Sequence, residues 1–398
     1  MSSSRTVGWY PLGPSEGRKG SLVDSSLAVT DRTYARVDLR AVVSNFRSIR
    51  RTIGPHPEIL AVVKADAYGH GGVAVARALE EQGCRRFAVA CLAEAAELRD
   101  SGIGGEIAVL GGFLEGEEEM ASELRLTPFV QDEGQVERWN RQARRAGSRL
   151  PYHLEVDSGM SRCGFDDSDP ERLAAVVRSA EYLSFVGLAT HHAAAEDFTS
   201  PQCEEQQLRF LKVVSALAGR GMRPKYLHCA NSVALAYRAE LDMDLVRPGI
   251  SLYGYVAAAR GDAPASRLRL TPALEWKTRI QLVRPVATGA LVGYNGTYRA
   301  AAPTRIGILP IGYGDGLDRR LSNRGEVVIG GRRCPIVGLV SMDIALVDLE
   351  NVPQAQPGDE VTLVGASLDA AEMASLLDTI PLEVLCRISE RVPRIYVS

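Results

Sequence analysis

The 398-residue chain has no apolar stretch of about 18 residues, which excludes a membrane-spanning helix from the sequence reading. It has no long run of charge of one sign, and its formal net charge is −3, so the basic patch of a nucleic-acid binder is missing. Cysteine is sparse: seven residues, an odd number, spread widely. That pattern suits free thiols in a reducing compartment rather than a disulfide framework. Neither HExxH nor CxxC occurs, so no convincing metal set is present. The opening MSSSRTVGWYPLGPSEGRKGSLVDSS lacks the apolar core of a signal peptide. Ser, Gly, Pro and Arg dominate there, and residues 1–31 read as a flexible tail. Together these absences predict a soluble, cytoplasmic protein with no nucleic-acid or membrane partner.

What is present is strand–helix alternation. Short Val-, Ile- and Leu-rich runs fall at ILAVVK (59–64), FAVAC (87–91), IAVLG (107–111), TPFV (127–130), YHLEV (152–156), FVGLAT (185–190), YLH (226–228) and DLVR (244–247). Amphipathic stretches such as GVAVARALEEQG and EAAELRDSG separate them. Alternation of this kind predicts a parallel sheet, and eight units in roughly 210 residues suit a (β/α)8 barrel better than an open sheet. After residue 268 helical periodicity fades and strand-like runs sit between Gly and Pro turns; only ASLDAAEMASLLDTI reads as a helix. The expected organisation is therefore α/β: a tail (1–31), an N-terminal (β/α)8 TIM-type barrel (32–268) and a C-terminal mostly-β domain (269–398).

Barrel active sites form where strands end and βα loops begin. Lys64 and Tyr68 follow the first candidate strand, Arg162 the fifth, His191 and His192 the sixth, Asn231 and Ser232 the seventh, and Arg247, Gly249 and Ile250 the eighth. Each has an ordinary explanation. A strand-end lysine is usually solvated, Asn-Ser after HCA makes a helix N-cap, Arg-Pro-Gly makes a turn, and Arg162 could pair with a nearby carboxylate. Five clusters on one rim favour function instead. Loops after strands seven and eight often bind phosphate through backbone N–H groups and a hydroxyl, a role that suits Ser232, Gly249 and Ile250. A lysine across the mouth suits an aldehyde held covalently. Phosphate plus aldehyde points to pyridoxal 5'-phosphate.

The motifs VVKADAYGHG, THHAAAED, HCANS, VRPGISLYG, VGYNGTY, IGYGDG and VSMD resemble, in order, those of the alanine racemase family over residues 33–398. The resemblance implies a pyridoxal-phosphate enzyme that interconverts L- and D-alanine for peptidoglycan. Lys64 would hold the cofactor and act as one base; Tyr294, from the second subunit of a homodimer, would be the other. Arg247 would meet the ring nitrogen, and His191 would link it to Tyr294. Tyr68, Asn231, Ser232, Gly249 and Ile250 would complete the cofactor contacts, with His228 in support. Arg162 and Met342 would orient the substrate carboxylate, and Tyr313 would line the entrance.

Two bases on opposite faces are the direct solution to racemisation, which removes a proton from one face and returns it on the other. The sequence also departs from the family pattern. Glu155 stands where many members have a lysine that becomes carbamylated, and is expected to supply the same negative charge unmodified. Glu390 replaces a common tyrosine near the phosphate or substrate pocket, Leu339 a common entrance arginine, and Ser341 a common cysteine. A racemase of serine or a basic amino acid is the alternative these changes motivate.

Overall fold

The structure, a computed structural model, describes residues 32–398; the expected tail lies outside the described residues. Eight parallel strands follow in chain order: Glu58–Val62, Arg86–Val89, Glu106–Val109, Leu126–Val130, Leu150–Asp157, Leu183–Ala189, Tyr226–His228 and Leu245–Val246. Each pairs with the next from first to seventh, and the eighth returns to the first, Leu245 opposite Glu58 and Val246 opposite Ile59. Between the seventh and eighth the ring closes through single bonds, from the Asp244 amide to the Leu227 carbonyl (3.0 Å) and from the Arg247 amide to the Ala230 carbonyl (2.9 Å). The result is the barrel expected from the sequence, nearly closed, with all eight strands where the apolar runs place them.

The runs are apolar because parallel strands in a barrel are covered on both faces. Ile59, Leu60, Ala61, Val62 and Val63 are all buried. The covering helices use their carboxylates as caps: Asp132 accepts from the Gln135 amide to start Glu133–Ala146, and Asp169 from the Arg172 amide to start Pro170–Ser179. Such caps contribute about 1 kcal/mol each.

The C-terminal domain is mostly strand. A six-stranded sheet runs in the order Arg332–Pro335, Glu326–Ile329, Glu360–Val364, Leu274–Arg279, Thr33–Asp38, Arg394–Val397. Thr33–Asp38 falls in the range the sequence reading gives to the barrel, yet it is hydrogen bonded into this second sheet, antiparallel to Leu274–Arg279 and parallel to Arg394–Val397. A three-stranded sheet holds Leu282–Val286, Thr304–Leu309 and Ala345–Asp348. The expected helix forms at Ala370–Leu377, capped by Asp369, and a second short helix follows at Pro381–Cys386 that periodicity did not reveal.

A small hairpin, Leu291–Val292 with Tyr298–Arg299, carries Tyr294 at its tip. Its base is pinned by buried Asp348, which accepts from the Tyr298 hydroxyl (2.7 Å) and the Thr304 hydroxyl (2.6 Å).

Candidate active site

Lys64, Arg162, His191, Ser232 and Arg247 each lie just past the C-terminal end of a barrel strand, so the barrel brings five distant segments to one mouth. The first strand ends at Val62, and the chain then enters a rare conformation. Ala65, Asp66, Ala67 and Tyr68 all have φ of 52–54° and ψ of 41–52°, a left-handed turn built without glycine. Each such residue costs about 1–2 kcal/mol, so the turn persists only because its neighbours hold it. The Gly72 amide donates to Asp66 Oδ1 (2.6 Å), His70 Nδ1 donates to the Ala67 and Tyr68 carbonyls (3.1 and 3.0 Å), and Arg394 Nε donates to the Gly69 carbonyl (3.0 Å). The turn sends Lys64 into the mouth half-buried and Tyr68 down against Tyr253, ring centroids 5.1 Å apart. Burial, then the Arg162 guanidinium, pushes the Lys64 amine below its ordinary value, while Glu94 and Cys386 pull the other way.

Across the mouth, the Ser232 hydroxyl oxygen accepts from the Gly249 amide (2.9 Å), the Ser251 amide (3.2 Å) and the Ser251 hydroxyl (3.0 Å). Asn231 spends its side-chain oxygen on capping Ser232–Tyr237, accepting from the Val233 and Ala234 amides at 3.0 Å each. Its amide nitrogen lies 3.5 Å from His191 Nε2. Gly249 has no room for a side chain: a Cβ there would sit 2.6 Å from the Tyr68 hydroxyl. Ile250, buried, opens the following turn. Hydroxyls and amides thus converge from the first, seventh and eighth strand ends.

Arg247 is buried, and among the described residues no carboxylate is hydrogen-bonded to it. Its guanidinium donates to the carbonyls of Thr190 (2.7 Å), His228 (3.0 Å) and Cys229 (3.2 Å), to His228 Nδ1 (2.7 Å), and over 3.4 Å to His191 Nδ1. An arginine offers only donors, which makes His228 Nδ1 an acceptor and leaves the proton on Nε2. That proton is then donated to His153 Nδ1 at 2.9 Å. His153 stacks on Phe129 at 4.9 Å, and Gly187 faces it because a methyl there would overlap the imidazole. Burial, then Arg247, pushes His153 and His191 down to about 3 and His228 well below the usual value.

Arg162 is exposed at the rim, on a loop whose Gly159, Met160 and Ser161 amides donate to Asp157 Oδ1 at 2.8–3.0 Å. Glu155 is buried and accepts from Gln131 Nε2 at 2.8 Å. Burial pushes it upward, opposed by Gln131, Arg247 and Arg162. Glu390 is exposed and close enough to Asp66 to raise it, after the larger effect of burial. Among the described residues no group of three or more His, Cys, Asp or Glu is placed to hold a metal.

The other expected residues sit on the second domain. Tyr294 is 71% exposed, Met342 52% and Tyr313 45%, an unusual degree for such side chains. The IGYGDG and VSMD segments are bonded together, the Tyr313 amide to the Ser341 carbonyl and the Gly314 amide to the Met342 carbonyl. Arg391 joins their acids, Asp315 (3.3 Å) and Asp343 (2.7 Å).

Residues 37–257 match the family model for the alanine racemase N-terminal domain, and residues 273–396 that for the alanine racemase C-terminal domain. The chain belongs to the alanine racemase family. As members of an isomerase family, its relatives share its full architecture. The alanine racemase of Symbiobacterium thermophilum is 40% identical over 370 residues, covering 92% of this chain and 97% of the relative. The Bartonella henselae alanine racemase, solved with covalently bound pyridoxal phosphate, is 31% identical with a TM-score of 0.83, over 92% of this chain and 99% of that one. The Bacillus anthracis alanine racemase with bound L-Ala-P is 35% identical with a TM-score of 0.85, over 92% and 95%.

Membership of the alanine racemase family leaves some of the site's own wiring unexplained. Glu94, His70, His153, Gln131 and Arg394 take part in it, and none was singled out from sequence. A signal existed for two of them. Glu94 stands three residues after Cys91, where a helix starts, the place of a capping glutamate. His153 and Glu155 sit two apart on one strand, hence on one face.

Proposed function

We propose that the protein is a pyridoxal-phosphate-dependent alanine racemase that acts as a homodimer in the bacterial cytoplasm and supplies D-alanine for peptidoglycan. One observation carries the reading: a lysine amine with a lowered proton affinity shares a barrel mouth with a hydroxyl–amide cradle and a buried arginine. That donor set fits pyridoxal phosphate. Ser232, Gly249, Ile250 and Tyr68 would hold the phosphate, with Lys64 at the aldehyde carbon. When bound, the cofactor supplies an electron sink conjugated with the amino acid's Cα.

Arg247 would donate to the ring nitrogen and cannot readily yield a proton to it. This limits electron withdrawal and disfavours transamination. Lys64 Nζ exchanges a proton with one face of Cα. The opposite face falls to the Tyr294 hydroxyl of a second copy, which is why Tyr294, Tyr313 and Met342 are exposed on one domain of the isolated chain. Free tyrosine has a pKa of about 10, so a positive neighbour is needed, and Arg247, 3.4 Å from His191, would supply it. Arg162, with the Met342 amide, would receive the substrate carboxylate.

Tyr294→Phe tests this reading. The variant is expected to bind the cofactor normally and to lose racemisation of alanine by about 10³-fold, followed by circular dichroism. Full turnover would sink the two-base assignment. A panel of L-amino acids settles the substrate: alanine is expected to react fastest, whereas a faster serine or lysine would establish the alternative.

Glu155 is proposed to supply the negative charge that steadies Arg162, although its hydrogen bond goes to Gln131. Glu155→Gln is then expected to raise KM for alanine about tenfold, the cost of losing one charged partner, with a smaller change in kcat. Unchanged KM would leave Glu155 as a filler of the barrel interior.

A further inference from the structure

The left-handed turn after Lys64 creates a hydrogen-bonding problem that the structure solves with one side chain. The first and second barrel strands pair as far as Val63, whose amide donates to the Ala88 carbonyl at 2.8 Å. In a continuing parallel ladder, the next donors would be the amides of Ala90 and Ala65. The ladder cannot continue, because the turn brings the Ala67 amide onto the Val63 carbonyl (2.9 Å), and the Ala90 carbonyl accepts from Gly111 (3.1 Å). Two strand-end amides are thereby left over, one of them adjoining Lys64.

Glu94 takes both. Its Oε2 accepts from the Ala90 amide at 2.7 Å and its Oε1 from the Ala65 amide at 2.6 Å. Glu94 is the third residue of Leu92–Asp100, whose N-cap, Cys91, makes no side-chain cap. A glutamate here ordinarily turns back on its own helix. The bond to Ala90 does that, and the bond to Ala65 crosses to another strand.

We propose that Glu94 is a positioning residue for Lys64: its carboxylate bridges the diverging ends of the first two barrel strands and fixes the direction in which the lysine enters the mouth. The inference rests on the reading of Lys64 as the cofactor lysine. Both bonds are charge-assisted, the stronger kind, and Ala65 is the first of the four strained residues. The rest of the turn is tied down from behind, by Asp66, His70 and Arg394. Glu94 is the tie at its front. The same carboxylate also favours the charged amine of Lys64 against burial and Arg162.

The test uses Glu94→Gln, which keeps size and retains one acceptor oxygen, and Glu94→Asp, which keeps charge and is too short to span both amides. In the apoenzyme, amide exchange at Ala65 is expected to accelerate in both. In the holoenzyme, both are expected to lose kcat by about 10- to 100-fold, the effect of a reacting group misplaced by about 1 Å. KM for alanine should change less, and the cofactor's visible absorption band should weaken or shift. A fall in melting temperature with turnover, band and Ala65 exchange unchanged would reduce Glu94 to a helix cap and overturn the proposal. Lys64→Ala, run alongside, separates the two claims. If the wild-type band persists in Lys64→Ala, the cofactor-lysine reading fails; if it vanishes there while both Glu94 variants behave as wild type, the positioning role alone fails.

Discussion

Lys64→Ala is expected to abolish the visible absorbance of the lysine-bound cofactor, to prevent borohydride from fixing pyridoxal phosphate to the chain, and to lower racemisation by about 10⁴-fold or more. The argument begins with the amine's surroundings. Burial and the Arg162 guanidinium both disfavour the ammonium form, so Lys64 is less protonated at neutral pH than a solvated lysine. An uncharged amine is what attack on an aldehyde requires, and it is also what a base requires. No other lysine can substitute, because the remaining four barrel-mouth segments contribute Arg162, His191, Ser232 and Arg247 instead. The loss should be chemical and not structural. Lys64 is half-buried, its amine forms no salt bridge among the described residues, and its removal relieves repulsion with Arg162. A change in stability within about 0.5 kcal/mol is therefore expected. An inactive variant with wild-type melting behaviour supports the assignment. An active one would remove the basis of the proposed function.

Which parts of this were legible in the sequence follows from how far apart the interacting residues lie. Barrel strands buried on both faces must be apolar throughout, so ILAVV and FAVA announce themselves. Thr33–Asp38 did not, because its partners Leu274–Arg279 and Arg394–Val397 lie at the far end of the chain. The chain breaks between the strands Leu274–Arg279 and Leu282–Val286 at Ile280–Gln281: the Ile280 amide turns to the Asp359 carbonyl and the Gln281 amide to the Ile308 carbonyl, so adjacent residues enter different sheets. Pro285 was the clue, since a proline belongs on an edge strand, where Leu282–Val286 lies.

The site shows the same division. Strand-end residues such as Lys64 and Arg247 stand out because each interrupts an apolar run. For Glu94 and His153 spacing gives only a helix-start position and a strand face, because their roles depend on a left-handed turn and a tautomer chain that spacing cannot encode.

Those buried imidazoles carry the second large prediction, a steep loss of stability in acid. His70 and His192 are pushed down to about 4, His153 and His191 to about 3, and His228 well below the usual value, in every case first by burial. Arg247 adds to the effect on His153, His191, His192 and His228 as a nearby like charge, and on His228 and His191 a protonated ring would also lose the nitrogen that accepts from the guanidinium. In the unfolded chain these groups titrate near about 6.5. Between that value and the folded values the unfolded state binds more protons, so stability rises with pH across the window and is lost as pH falls through it. Each histidine contributes about 1.4 kcal/mol per pH unit once the unfolded form is fully protonated. Acting in the same direction, these groups make a substantial part of a typical domain's stability dependent on pH across that window. Glu155 and Asp66 oppose this, because burial raises them and the folded chain then binds more protons than the unfolded one. The melting temperature is expected to be level above about pH 7 and to fall below about pH 6, with a net uptake of protons on unfolding at pH 5. A melting temperature that stayed flat from pH 7 to pH 5 would mean that the imidazoles around Arg247 are already protonated in the folded chain, and that the neutral chain from Arg247 through His228 to His153 does not exist as drawn.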